Sequence, residues 1–210
     1  MRLYTQKVAP NPTKVELYLA EKAGLGCAIP LERVMVNLRK GEHRSGEMTA
    51  RNPLQRLPFL ELDDGTVITE SLVIIEYCEE RWPSPALIGT TPEARAQVRA
   101  LERGLDQDIM VGIITMVHAT RSPVGYPPNP AVAAWARSWM QAPLKTLEAR
   151  LADGREFVAG QAVTIADCTL AAALQFARFG KLDLLADTPH IAAWDAGYRQ
   201  RDAARAVLIL

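Results

Sequence analysis

Pro83, Pro85, Gly89 and Pro92 fall within ten residues, and no helix or strand runs through a stretch so interrupted. That break constrains the fold more than any other feature, because the two sides of it have different periodicities. Before it, short alternating runs are interleaved with helical ones. After it, only helical patterns remain. The reading is an α/β half over residues 1–81, a linker over 82–91 and an all-helical half over 92–210.

In the first half, Arg2–Thr5 reads as a strand. Asn11 reads as the N-cap and Pro12 as the first residue of a helix that carries Val15, Tyr18 and Leu19 on one stripe and closes at Gly24. Leu31–Val36 alternates as a second strand, so strand, helix and strand predict a parallel, right-handed βαβ unit. Phe59–Leu62 and Thr66–Thr69 flank Asp63-Asp64-Gly65, a hairpin signal, and a helix from about Glu70 to Arg81 must stop by Pro83.

In the second half, Thr91-Pro92-Glu93 opens a helix whose apolar positions, Val98 through Met116, persist for about seven turns. Ser122–Pro130 holds four prolines and is a loop. Ala131–Leu151 is helical, with Trp135, Trp139, Leu144, Leu147 and Leu151 on its expected apolar side. Thr164 and Asp167 form a capping box, with Val163 and Cys168 as its hydrophobic staple. The helix it opens is apolar all round and should be central to the helical half.

Charge excludes some functions. The 24 Lys and Arg balance 24 Asp and Glu, so no bulk field recruits nucleic acid or an anionic membrane. The greasiest window, Ile109–Val117, is about half of the ~20 residues a spanning helix needs. The start Met1-Arg2-Leu3-Tyr4 has no signal-peptide pattern, and Cys27, Cys78 and Cys168 form neither a CxxC nor a disulfide framework. A cytoplasmic chain without a bound metal is expected.

A series of motifs carries a resemblance: Leu3-Tyr4; Pro10 to Gly24; Gly41-Glu42-His43; Asn52-Pro53 through Leu60; Asp63-Asp64-Gly65 to Ser71; and the capping box at Thr164. Each is weak alone. In this order and spacing the chain resembles the cytosolic glutathione transferases over essentially its whole length. The resemblance implies a thioredoxin-like α/β domain (β-α-β-α-β-β-α) followed by the all-α helical domain. It also implies glutathione as co-substrate, a small hydrophobic electrophile as the second substrate and a homodimer.

The ligand's chemistry gives each motif a reason. Glutathione is an extended tripeptide with a carboxylate at each end. Leu57-Pro58, cis as the resemblance implies, would turn the Leu57 N–H and C=O outward to pair with it like an added strand. Glu70 would meet the ligand's ammonium, and Ser71, at a helix start, its γ-glutamyl carboxylate. His43 and Arg56 match the family's positions for the glycine carboxylate, with Lys40 and Arg44 beside them.

One position departs from the family. Ala9 stands where many relatives carry a catalytic Ser or Cys, six residues before Val15. Asn11 is then the catalytic candidate: it caps its own helix, donates its amide to the thiolate, or does both. Tyr4 is available or buried in the core, and Thr5 and Thr13 are weaker candidates. The electrophile pocket is expected around the Gln6–Pro10 turn and Met110, Ile114 and His118, with the Tyr126 loop as a cap. Loss of the Ser leaves two other readings open: a non-catalytic glutathione-binding or interaction protein, and a glutathione-dependent isomerase or peroxidase.

Overall fold

The computed structural model describes residues 1–210. The first half runs β1 (Arg2–Thr5), α1 (Pro10–Gly24), β2 (Glu32–Met35), a 3₁₀ turn at Glu42–Arg44, α2 (Gly46–Arg51), β3 (Phe59–Glu61), β4 (Val67–Thr69) and α3 (Ser71–Arg81). The sheet order is β2-β1-β3-β4, with β1 parallel to β2 and antiparallel to β3, and β3 antiparallel to β4. The hairpin turns at Gly65, whose φ of 87° needs a residue without a Cβ. The period-2 rule assigns the two sheet faces. Leu3 and Leu60 face the main core with Val15, Tyr18 and Ile74 of α1 and α3, while Tyr4 and Phe59 stack on the opposite face, their centroids 4.2 Å apart, over Met48 of α2.

The helical half runs α4 (Pro92–Gly104), α5 (Val111–Arg121), α6 (Pro130–Leu151), α7 (Ile165–Phe179), α8 (Pro189–Tyr198) and α9 (Asp202–Val207). α7 is its axis, with every residue from Ile165 to Ala177 buried. The Asp167 carboxylate accepts from the Thr164 N–H at 2.8 Å and from the Val158 N–H at 2.7 Å, so the capping box also anchors the loop before it. The fold is thus a thioredoxin-like domain followed by an all-α domain, with one apolar cluster running through both.

Three local expectations are corrected. The N-cap of α1 is Ala9, with Pro10 rather than Pro12 at the first helical position, and Asn11 already lies inside the helix. Trp135 is 59% exposed, because the buried stripe of α6 begins at Ala136 and Met140, while Leu147 and Leu151 are buried as expected. The long helix is not uniform: Leu105–Met110 is π-helical and joins α4 to α5.

That π segment meets α1 across the domain interface. Lys14 Nζ lies 2.8 Å from Glu102 Oε1 and 2.9 Å from Asp106 Oδ1, and the Lys14 and Glu102 side chains are 1% and 0% exposed. Thr169 of α7 also donates to Glu102 Oε1, at 3.1 Å. A second buried lysine, Lys22, donates to the Trp82 and Pro85 carbonyls and pairs with Glu79 at 3.0 Å, which ties the segment after α3 to α1.

Candidate functional site

The β3–α3 region and the start of α1 enclose a small pocket. Asn52 builds one wall: its Nδ2 donates to the Arg56 carbonyl at 2.8 Å, and its Oδ1 accepts from the Leu54 N–H at 3.2 Å. This brace holds the loop leading to Leu57-Pro58, which is cis. The Leu57 N–H and C=O are engaged by no other backbone group of the protein. Opposite them α3 begins. Glu70 holds φ at 68°, a conformation that costs ~1–3 kcal/mol in a residue with a Cβ and that tends to be kept at functional sites. Ser71 is buried, and its Oγ donates to Asn11 Oδ1 at 3.2 Å. Asn11, Arg56, Leu57, Pro58, Glu70 and Ser71 line this one pocket, so six of the residues read from the sequence converge.

Asn11 therefore sits beside Ser71, with its amide oxygen occupied and its NH2 without a protein partner. Its capping role is lost to Ala9, whose carbonyl accepts from the Thr13 N–H at 2.9 Å. The start of α1 is also poor in donors. Pro10 and Pro12 have no N–H, so among the first three helical residues only Asn11 presents one.

A larger cleft of about 420 Å³ adjoins the Gln6–Pro10 turn. Ala9, Pro10, Leu38, Pro123, Phe176 and Phe179 are among the residues that line it. His118 lines it; its Nδ1 lies 3.1 Å from Ser122 Oγ, and burial pushes its pKa below the usual histidine value, which favours the neutral imidazole. Phe176 and Phe179 stack with centroids 5.6 Å apart. The sequence does not mark them, because an all-buried helix gives no sign that its C-terminal end opens on a cleft.

Five sequence-based placements do not fit these two cavities. Met110 is fully buried in the core, where the π segment turns it inward, and cannot touch a ligand. Ile114 packs against that core and does not line the cleft. Tyr4 is 2% exposed, its hydroxyl donates to Glu61 Oε2 at 2.7 Å, and burial raises its pKa. His43, on the 3₁₀ turn, lies outside both cavities with a buried, unpartnered Nδ1. Tyr126 is 56% exposed and leans on His118 at 5.4 Å between centroids, but does not line the cleft. No three His, Cys, Asp or Glu side chains are grouped to hold a metal ion.

Comparison with known proteins bears on this pairing of pocket and cleft. Residues 9–81 match the model of the glutathione S-transferase N-terminal domain, and residues 113–202 match that of the C-terminal domain. Gtt2 from Saccharomyces cerevisiae superposes with a TM-score of 0.88 at 30% identity, covering 99% of this chain and 100% of that one. Maleylpyruvate isomerase from a Ralstonia species is 35% identical over 182 residues, 84% of each protein. A glutathione S-transferase from Methylobacillus flagellatus, solved with glutathione bound, has a TM-score of 0.82 at 25% identity over 100% of this chain and 99% of that one. Both domains match in sequence and the whole chain superposes; this chain belongs to the glutathione S-transferase family.

Proposed function

We propose that this chain is a glutathione transferase. It binds glutathione in the Leu57–Ser71 pocket and directs the thiolate at an electrophile held in the adjoining cleft. The observation that carries the reading is the unpaired Leu57 backbone facing the buried Ser71 hydroxyl and the α3 start. A peptide backbone paired at Leu57 would run between an anion site at the α3 N-terminus and the exposed Arg56 guanidinium, the span that a tripeptide with two terminal carboxylates needs. Glu70 supplies the counter-charge for the ligand's ammonium. Arg56, rather than His43, is the lining cation for the glycine carboxylate.

Chemistry then needs donors for a thiolate and proximity to an electrophile, not an acid–base pair. The Asn11 NH2 and N–H are the donors at the α1 start, and His118 is one of the residues lining the electrophile cleft. The carbon–sulfur bond forms as the leaving group departs with its electron pair, and the thiol proton passes to water. Free cysteines, two of them buried, suit the reducing cytoplasm, and no helix is long and apolar enough to cross a membrane. We also take the protein to act as a homodimer in detoxification. A second reading, glutathione-dependent isomerisation, is favoured by the 35% identity to maleylpyruvate isomerase.

Calorimetry tests the core of this reading. Arg56→Ala and Ser71→Ala should each weaken glutathione binding by ~1–3 kcal/mol, the scale of one charge-assisted hydrogen bond. Unchanged affinity in both variants rejects the assignment. Turnover of an aryl halide, set against cis–trans isomerisation of an unsaturated diacid, separates the two reactions.

A further inference from the structure

Two cations without counter-ions flank a cleft that contains no carboxylate. Lys7 and Arg39 both line the cavity over Ala9, both are exposed, and neither takes part in a salt bridge. They come from different loops. Lys7 lies in the β1–α1 turn just before Val8, whose φ is 70°, and Arg39 follows β2. Gln6 joins the two loops: its Oε1 accepts from the Leu38 N–H at 3.4 Å, and its Nε2 donates to the Lys7 carbonyl at 3.2 Å. The acidic side chains nearby are already engaged. Glu16, which shares a groove with Lys7, pairs with Arg33 at 2.7 Å, and Glu42 accepts from the Asn37 N–H at 2.6 Å. The remaining wall is apolar, built largely of Leu38, Phe176 and Phe179.

In a chain of zero formal charge this is a local imbalance, and low-dielectric walls focus its field on the cleft. A neutral hydrophobic electrophile uses the apolar wall and leaves both cations idle. We infer that the acceptor is an anionic electrophile, an apolar or unsaturated body bearing a carboxylate that Lys7 and Arg39 hold at the rim. This inference rests on the glutathione transferase reading and specifies its second substrate.

The test compares 4-chloro-3-nitrobenzoate with its methyl ester. In both, the thiolate sulfur bonds to the ring carbon, chloride leaves with its electron pair, and the thiol proton goes to solvent. The readout is the carboxylate-to-ester ratio of kcat/KM, in which intrinsic reactivity cancels between variants. Lys7→Met and Arg39→Met should each lower that ratio by about fivefold, the scale of one exposed ion pair. Added salt should lower it in the wild type and leave the double variant's ratio level. Calorimetry with the two corresponding S-aryl glutathione conjugates gives the same comparison without turnover. Equal losses on both acceptors, an unchanged ratio, weakened glutathione affinity or a raised thiol pKa in the variants would each overturn the inference. The last two would reassign the cations to the glycine carboxylate or to the thiolate. A wild type that binds neither glutathione nor either conjugate overturns the transferase reading itself, a result distinct from equal binding of the two conjugates.

Discussion

Replacing Lys14 with methionine isolates what the buried ion cluster contributes. Methionine keeps most of the aliphatic stem and removes the ammonium, so packing within α1 is nearly conserved. The two acidic partners then fare differently. Asp106 keeps Arg103 at 2.9 Å and is 14% exposed. Glu102 keeps only the Thr169 hydroxyl at 3.1 Å and the Arg103 guanidinium at 3.9 Å, and its Oε2 already has no hydrogen-bond partner. One buried charge is orphaned rather than two, which puts the loss at ~3–5 kcal/mol, the range for removing one partner of a buried pair. At about 2–4 °C per kcal/mol for a chain of this size, Tm falls by roughly 6–20 °C. Adding Glu102→Gln to the Lys14→Met background removes the orphaned charge and should recover at least ~1 kcal/mol. Guanidinium unfolding followed by circular dichroism and tryptophan fluorescence measures both effects. Because the cluster joins α1 to α4 and α7, non-coincident transitions in the single variant would report uncoupled domains. A loss below ~1 kcal/mol, or a second substitution that adds to the loss, refutes the argument.

Asn11→Ala should raise the pKa of bound glutathione by about one unit, the worth of one hydrogen bond to a thiolate; ultraviolet thiolate absorbance against pH reads it, and superposable titrations would leave Asn11 as a support for Ser71. Asp167→Ala strands the Thr164 and Val158 N–H groups and should cost ~2–4 kcal/mol in urea unfolding; a smaller change would mean the loop before α7 re-pairs on its own. Burial lowers the His118 pKa, so the unfolded state binds the proton more readily. Stability should therefore fall as pH drops through ~6.5, and the fall should be shallower in His118→Gln; identical pH slopes in the two proteins would contradict this.

Elements announced by periodicity or turn chemistry were legible in the sequence. Asp63-Asp64-Gly65 admits little besides a hairpin, and the Thr164 capping box marks α7 to the residue. What escaped was decided by packing at a distance. α1 starts at Pro10 rather than Pro12, so Asn11 lies inside the helix and meets the Ser71 hydroxyl across 60 residues. The π segment adds no signal to the apolar stripe, yet it turns Met110 into the core and removes it from the cleft. Nothing in the local sequence marks Lys14 as buried or gives Lys22 its partners; the domain interface and the segment after α3 supply them. At the site, Leu57-Pro58 and Glu70-Ser71 are placed by the resemblance to a family, not by local sequence, which alone favours a trans bond and an ordinary acidic helix start. The cleft wall could not be placed, because Phe176 and Phe179 reach it from the far end of another domain's helix.

Helices α1 and α9 close on each other. Arg201, just before α9, makes a two-pronged contact with Glu21 of α1, at 2.9 and 2.7 Å, across a separation of 180 residues. Synthesis on a ribosome is vectorial, so α1 is finished long before the guanidinium that neutralises Glu21 emerges. Glu21 is 2% exposed once folded, and until then the α/β domain must keep that carboxylate wet and one flank of α1 open. The nascent domain is thus held short of its final packing until Arg201 has emerged, a window in which a chaperone can engage the face that α7 and α9 later cover.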